Sequence, residues 1–230
     1  VPLNERPEID RWILSELHSL IKGVEYEMDD YDPTRAGRLI DAFVNDDLSN
    51  WYVRLNRKRF WGKEMSQDKL SAYQTLYTCL ETVAKLLAPF APFYADQLYL
   101  DLTKATQREQ LQSVHLANFP VADDKFIDRE LEERMEMAQK ITSMVLALRR
   151  KVNIKVRQPL LQIMIPAVDR RQKAHIEAVK DLIMSEVNVK ELNFVEEGKG
   201  VLVKKVKCNF RTMGKKFGKL IKGIAAQMEA

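Results

Sequence analysis

Cysteine is nearly absent: Cys79 and Cys208 are the only two in 230 residues. That excludes both a four-cysteine zinc knuckle and a disulfide framework, and leaves two free thiols suited to a reducing compartment. Histidine is scarce as well, and none of His18, His115 and His175 has a cysteine or a second histidine at metal-ligand spacing. Each reads as a structural histidine. Glycine is too thin for a phosphate-cradling loop: Gly198 and Gly200, then Gly214 and Gly218, lack the strand–loop–helix setting. No run of roughly 18 apolar residues occurs, so no membrane-spanning helix is expected. The opening Val1-Pro2-Leu3-Asn4-Glu5-Arg6 has no signal-peptide pattern and no initiator Met, which suggests a piece of something longer. Repeats and low-complexity segments are missing too. The carboxylate pairs Asp46-Asp47 and Asp123-Asp124 are of a kind common at surfaces and helix ends. No catalytic constellation remains, and taken alone the chain does not read as an enzyme.

What is present is apolar periodicity. Hydrophobic residues make up 46% of the chain, enough for one large core or two modest ones. Residues 7–28 carry Ile9, Trp12, Ile13, Leu17, Leu20, Ile21, Val24 and Met28 at three- and four-residue steps, one buried helical face. Asp32-Pro33 is a good helix start, and the stripe from Ala36 to Leu55 predicts a second helix reaching nearly to Gly62. A third helix is expected over 67–88 behind a Ser66 cap. Pro89 and Pro92 break it and begin a shorter one through about 102. Residues 113–120 look extended, and 126–151 read as the last long helix. Long amphipathic helices with short links imply an up-and-down bundle. After residue 151 the pattern becomes strand 160–165, helix 170–187, strand 189–196, a glycine turn at 197–200, strand 201–210 and a basic helix 214–228. The expected architecture is therefore mainly α: a helical domain over 1–152, then a small α+β domain over 153–230.

The net charge is only +4, but it is unevenly spread. Nine Lys and Arg residues and no acid lie between Lys199 and Lys222, whereas acids dominate 123–136. A one-sided basic segment suits a polyanion or is simply a solvated surface. The segment Asn45 to Trp61, NDDLSNWYVRLNRKRFW, is more informative. On an α-helix, Asn50, Arg54, Arg57, Lys58 and Trp61 share one side, with Arg59 beside them, while Leu48, Trp51, Tyr52 and Leu55 form another. Guanidinium forks can hold phosphates and an edge aromatic can stack on an unpaired base. The competing reading has these cations serving the helix dipole and pairing with acids, with Trp61 in the core. A further basic run, ALRRKVNIKVRQPL, places Arg149, Arg150, Asn153, Lys155 and Arg157 at a helix-to-strand junction. Three basic clusters without a catalytic signature favour a polyanion-binding module.

These same residues carry a resemblance. DRWILSEL, NDDLSNWYVRLNRKRFW, LLAPFAPFYADQLY and SVHLANFP resemble the anticodon-binding domain shared by the isoleucyl, valyl, leucyl and methionyl members of the class I aminoacyl-tRNA synthetases. The second of these and ALRRKVNIKVRQPL are most similar to the isoleucyl group, as are VNVKELNF and NFRTMGKKFGK. The family's two ATP-site signatures are absent. KEMSQDK, residues 63–69, is similar to one of them but sits in a helix-start loop. The resemblance implies a non-catalytic segment of an isoleucine–tRNA ligase. This segment would hold the tRNA anticodon stem-loop, and the catalytic and editing domains would lie upstream in the same cytoplasmic chain. No cofactor or metal is implied here; ATP and Mg belong to the parent enzyme. The implied tRNA-binding residues are Asn50, Arg54, Arg57, Lys58, Arg59, Trp61, Arg149, Arg150, Asn153, Lys155 and Arg157. Two alternatives stay open: the same module of a valyl enzyme, and a helical protein-interaction scaffold that binds no RNA.

Overall fold

The computed structural model describes residues 1–106, 111–166 and 169–195, together with Gly218. Apart from Gly218, the glycine turn 197–200, the strand 201–210, the helix 214–228, Cys208 and the basic segment 199–222 lie outside the described residues.

The first helix, α1 (Glu8–Asp29), buries the face its periodicity marks: Trp12, Ile13, Leu17, Leu20, Ile21 and Val24 are all in the core. Asp32 caps α2 (Pro33–Ala42) by accepting the Arg35 N–H at 3.0 Å, with Pro33 in the first turn. The α-helix expected to run on to Gly62 does not. From Phe43 to Val53 the backbone is π-helical, and a turn at Asn56 separates it from a short α3 (Arg57–Trp61). A π ladder bonds i to i+5 and winds more slowly than an α-helix, so three- and four-residue steps drift across it. The break at Asn56 also has a local cause. Its buried side-chain amide donates to the Tyr52 carbonyl at 2.8 Å, competing with the backbone ladder.

Helix α4 (Gln67–Leu87) starts at the expected cap, Ser66 accepting the Lys69 N–H at 3.1 Å. After the proline break comes α5 (Pro92–Thr106), longer than the periodicity suggested. The stretch 113–120 is not extended throughout. Asp96 accepts from both the Ser113 hydroxyl (2.7 Å) and the Val114 N–H (2.8 Å), holding a tight 3-10 turn at Val114–Leu116. Helix α6 (Arg129–Lys151) begins later than residue 126, because Asp123 caps a separate 3-10 turn at Asp124–Phe126 and Asp128 caps the helix itself.

Strand β1 (Leu160–Pro166) and β2 (Val189–Val195) pair in parallel, Leu160 opposite Val189 and Ile165 opposite Phe194. The connection is helical but divided at Val179 into α7 (Arg170–Ala178) and α8 (Lys180–Val187). Asn188, in the left-handed region at φ 51°, ends α8 and turns the chain into β2. Among the described residues one hydrophobic cluster joins the bundle to the strand region, and a smaller one, Ala84, Ala95, Tyr99 and Val114, lies between α4 and α5. The larger runs from Trp12 and Tyr52 through Met135, Ala138 and Ile141 of α6 to Ile176, Ile183, Val187 and Leu192. Helix α6 therefore packs on the bundle with one part of its surface and on α7 and α8 with another.

Candidate nucleic-acid interface

The basic segment Arg54 to Trp61, turned at Asn56, holds both engaged and outward-facing side chains. Arg59 turns inward. Its Nη1 and Nη2 donate to Asp10 Oδ1 (2.7 Å) and Oδ2 (2.9 Å), and its Nε donates to Asp68 Oδ2 (3.0 Å). Asp10 is fully buried and also accepts from the Tyr52 hydroxyl at 2.8 Å and the Ser71 hydroxyl at 2.6 Å. Every lone-pair direction of that carboxylate is thus met by a donor, as a buried charge requires. Arg54 is engaged too: it pairs with Glu186 of α8, sits 5.6 Å from the centroid of the Trp51 ring, and donates from Nε to the Asn50 carbonyl at 2.8 Å. The expectation that all these cations face outward together is corrected on those two positions, where carboxylates meet the guanidiniums.

Arg57 and Lys58 are the outward group. Both are exposed, with no ion-pair partner among the described residues, and Trp61 beside them is 79% exposed rather than in the core. The short α3 is fixed from within by Phe60, which packs edge-on to Tyr73 and Tyr52, and by the Arg59–Asp10 pair. Two free cations and a free indole are held on a rigid support.

The second basic run is divided in the same way. Arg149 is only 3% exposed and donates to three carbonyls: Lys155 (3.2 Å), Gln158 (2.9 Å) and Asn188 (2.9 Å). It ties the end of α6 to the loop before β1 and to the start of β2, a structural role that corrects its expected place on the RNA face. Arg150, Asn153, Lys155 and Arg157 are exposed. Asn153 adopts φ 55°, a left-handed turn that ends α6.

Asn50, Arg54 and Arg150, far apart in sequence, line one open groove of about 1080 Å³ between the π segment and α6. Sequence reasoning missed the rest of that lining. Asp46 and Asp47, set aside as ordinary surface acids, form its wall together with Glu16, Glu132, Glu133 and Glu136. Burial, reinforced by the charges of Asp47 and Glu132, pushes the Glu16 carboxyl up to about 7. Burial also raises Asp47 from its ordinary value, against the opposing hydrogen bond from Gln139. The sequence signals for this wall were the Asp46-Asp47 pair and the acid-rich stretch 123–136, which nothing local joins.

The histidines have structural surroundings. His18 stacks on Phe126 with centroids 4.5 Å apart and accepts the Asp123 N–H at 3.0 Å; burial lowers its pKa. His175 is buried on α7, 4.0 Å from Glu130, and His115 is exposed in the 3-10 turn. Cys79 is fully buried in the bundle, and its thiol pKa is raised by that burial.

A family model described as the anticodon-binding domain of tRNA ligase matches residues 10–165. Among similar proteins, an isoleucine–tRNA ligase of Bacteroides thetaiotaomicron is 70% identical over 226 residues, which is 98% of this chain and 19% of that protein. The Porphyromonas gingivalis isoleucine–tRNA ligase is 58% identical over 230 residues, 100% of this chain and 20% of that protein. The Thermus thermophilus one is 38% identical over 228 residues, 99% of this chain and 22% of that protein. The chain spans about a fifth of the length of the curated relatives it matches.

Proposed function

The chain belongs to the family of anticodon-binding domains of tRNA ligases, and on that premise we propose that it holds the anticodon stem-loop of an isoleucine tRNA within an isoleucine–tRNA ligase. The observation that carries this reading is α3, where Arg57, Lys58 and Trp61 are exposed together on a support locked by Arg59 and Asp10. Cations of this kind attract and position the phosphate backbone without reading sequence. An exposed indole stacks on a base that a loop leaves unpaired. Arg150, Asn153, Lys155 and Arg157 extend the same character onto the junction after α6.

In this reading the attachment of isoleucine, with its ATP and Mg, takes place in other parts of a cytoplasmic ligase, and this segment orients the tRNA toward them. The same reading divides the chain into a helical part, 1–152, and a smaller α+β part, 153–230, and the left-handed Asn153 supports a boundary there. The choice of isoleucine over valine is supported by the likeness to isoleucine–tRNA ligases.

The test is an electrophoretic shift of the 230-residue chain with isoleucine-accepting tRNA, valine-accepting tRNA and heparin as competitor. The reading expects a shift that favours the isoleucine tRNA and resists heparin better than a nonspecific complex does. It also expects no ATP–pyrophosphate exchange with isoleucine. Equal loss of both tRNAs to heparin, or exchange activity in the chain alone, overturns it.

A further inference from the structure

Arg54 and Glu186 are each held in place without the other. The Arg54 guanidinium lies 5.6 Å from the centroid of the Trp51 ring, and its Nε donates to the Asn50 carbonyl at 2.8 Å. Glu186 stands on α8, which packs on α6 and is anchored by Ile183 and Val187, neither of them exposed to solvent. The salt bridge between the two is therefore not what builds the fold on either side of it. Its effect is on charge. Arg57 and Lys58 carry free charges, whereas Arg54, just before them in the chain, is neutralised by an acid from a distant element. The bridge is open to water, with 38% of the Arg54 side chain and 17% of the Glu186 side chain exposed. Glu186 has no other hydrogen-bond or ion-pair partner among the described residues.

Water-exposed ion pairs hold together weakly, because solvent competes for both charges. The carboxylate on Arg54 is thus exchangeable for another anion. A backbone phosphate offers a guanidinium the same pair of acceptor oxygens that a carboxylate does. The acids that line the groove beyond Arg54 repel phosphate, so a backbone lying on Arg57 and Lys58 meets Arg54 as the last cation it can use on that side. We propose that Glu186 occupies Arg54 in place of an RNA phosphate, and that RNA bound along α3 displaces it. An acid on the connection between β1 and β2 thereby holds down the affinity of the helical part for RNA. A phosphate that takes Arg54 frees a carboxylate, which recovers counterions of its own. The exchange then adds almost nothing to net counterion release, although a contact is made. This inference rests on the tRNA-binding reading above and adds to it a residue that tunes binding through Arg54.

The experiment follows binding of the 230-residue chain to labelled isoleucine-accepting tRNA by fluorescence anisotropy across a salt series. Glu186→Gln keeps the size of the side chain and removes its charge. Glu186→Ala, favourable within a helix, reads the same effect a second way, and circular dichroism melting verifies that each variant is folded. Both are expected to bind about three- to tenfold more tightly than the native chain near 0.1 M salt, with a salt slope steeper by about one, the share of a single phosphate contact. In an Arg54→Ala background the Glu186→Gln gain should shrink to less than about twofold, because the two residues act through one contact. Glu191→Gln removes the same charge from an exposed position on β2 and should change affinity by less than about twofold. If neither Glu186 variant binds more tightly than Glu191→Gln, the inference is overturned and the tRNA reading stands. A gain that survives without Arg54 overturns it in the same way. Failure of every form to bind tRNA overturns both.

Discussion

Arg59 grips Asp10 with both terminal nitrogens, at 2.7 and 2.9 Å, although the two residues lie 49 positions apart. Asp10 has no solvent exposure, so removing either partner strands a charge or leaves three donors unanswered. Asp10→Ala and Arg59→Ala are each expected to lower unfolding free energy by about 3–5 kcal/mol, the range for breaking a buried pair. Arg57→Ala, two residues away and exposed, should change it by less than about 0.5 kcal/mol. Urea denaturation of the three variants measures this. A mild Arg59 variant would mean that the pair is not what fixes α3.

The outward residues should separate by role when tRNA binding is followed across salt. If the proposed reading holds, Arg57→Ala and Lys58→Ala each remove one phosphate contact, so affinity is expected to fall for all tRNAs alike and the salt slope to shrink by about one per charge. Trp61→Ala should cost about 1–3 kcal/mol with little change in slope, and Trp61→Phe should recover most of it, because stacking and not charge is lost. Arg54→Ala should show a smaller slope change than Arg57→Ala, since Arg54 is paired with Glu186 in the free protein.

Arg149 is expected to behave as a clamp. Replacing it with Lys keeps the charge but cannot span the Lys155, Gln158 and Asn188 carbonyls, a loss of about 2–4 kcal/mol. Hydrogen exchange should accelerate in β1 and β2 and much less in α1. Uniform acceleration through the chain would contradict the clamp.

Glu16 supplies a pH test. Burial raises its folded-state pKa to about 7, above the 4.5 of an ordinary glutamate. The native state therefore holds a proton that the unfolded chain has released. The contribution to stability is whole below about pH 4.5 and is lost as pH rises to about 7. Glu16→Gln imitates the protonated form at every pH. It should match the native chain near pH 4.5 and exceed it by about 2–3 kcal/mol at pH 8, the order that a shift of this size implies. Thermal melting at the two pH values reads this directly. A variant equally stable relative to the native chain at both would remove Glu16 from the buried set.

Much of the helical architecture was legible in the sequence, because long apolar stripes and caps such as Asp32-Pro33 and Ser66 are local signals. The candidate site was legible only in part. Spacing on an ideal α-helix put Arg54, Arg57, Arg59 and Trp61 together, but the backbone is π-helical before Val53 and turned at Asn56. That irregularity depends on the Tyr52 carbonyl and on packing against α4, neither of which a period can report. Arg149 was misplaced for a related reason. Its three carbonyl partners come from the loop before β1 and the start of β2, and sequence alone cannot distinguish a cation at a helix end that faces solvent from one that bonds backbone. The acidic groove was missed because its wall is assembled from α1, the π segment and α6, which are far apart in sequence.

The most direct test of the central claim, that outward cations on α3 and after α6 hold an anticodon loop, is photocrosslinking. A tRNA carrying a reactive uridine analogue in its anticodon loop is bound to the 230-residue chain and irradiated, and the attached peptides are sequenced. The account predicts attachment within 57–61 and 150–157. Attachment confined to α5 and the 113–121 segment, with those stretches untouched, would contradict it.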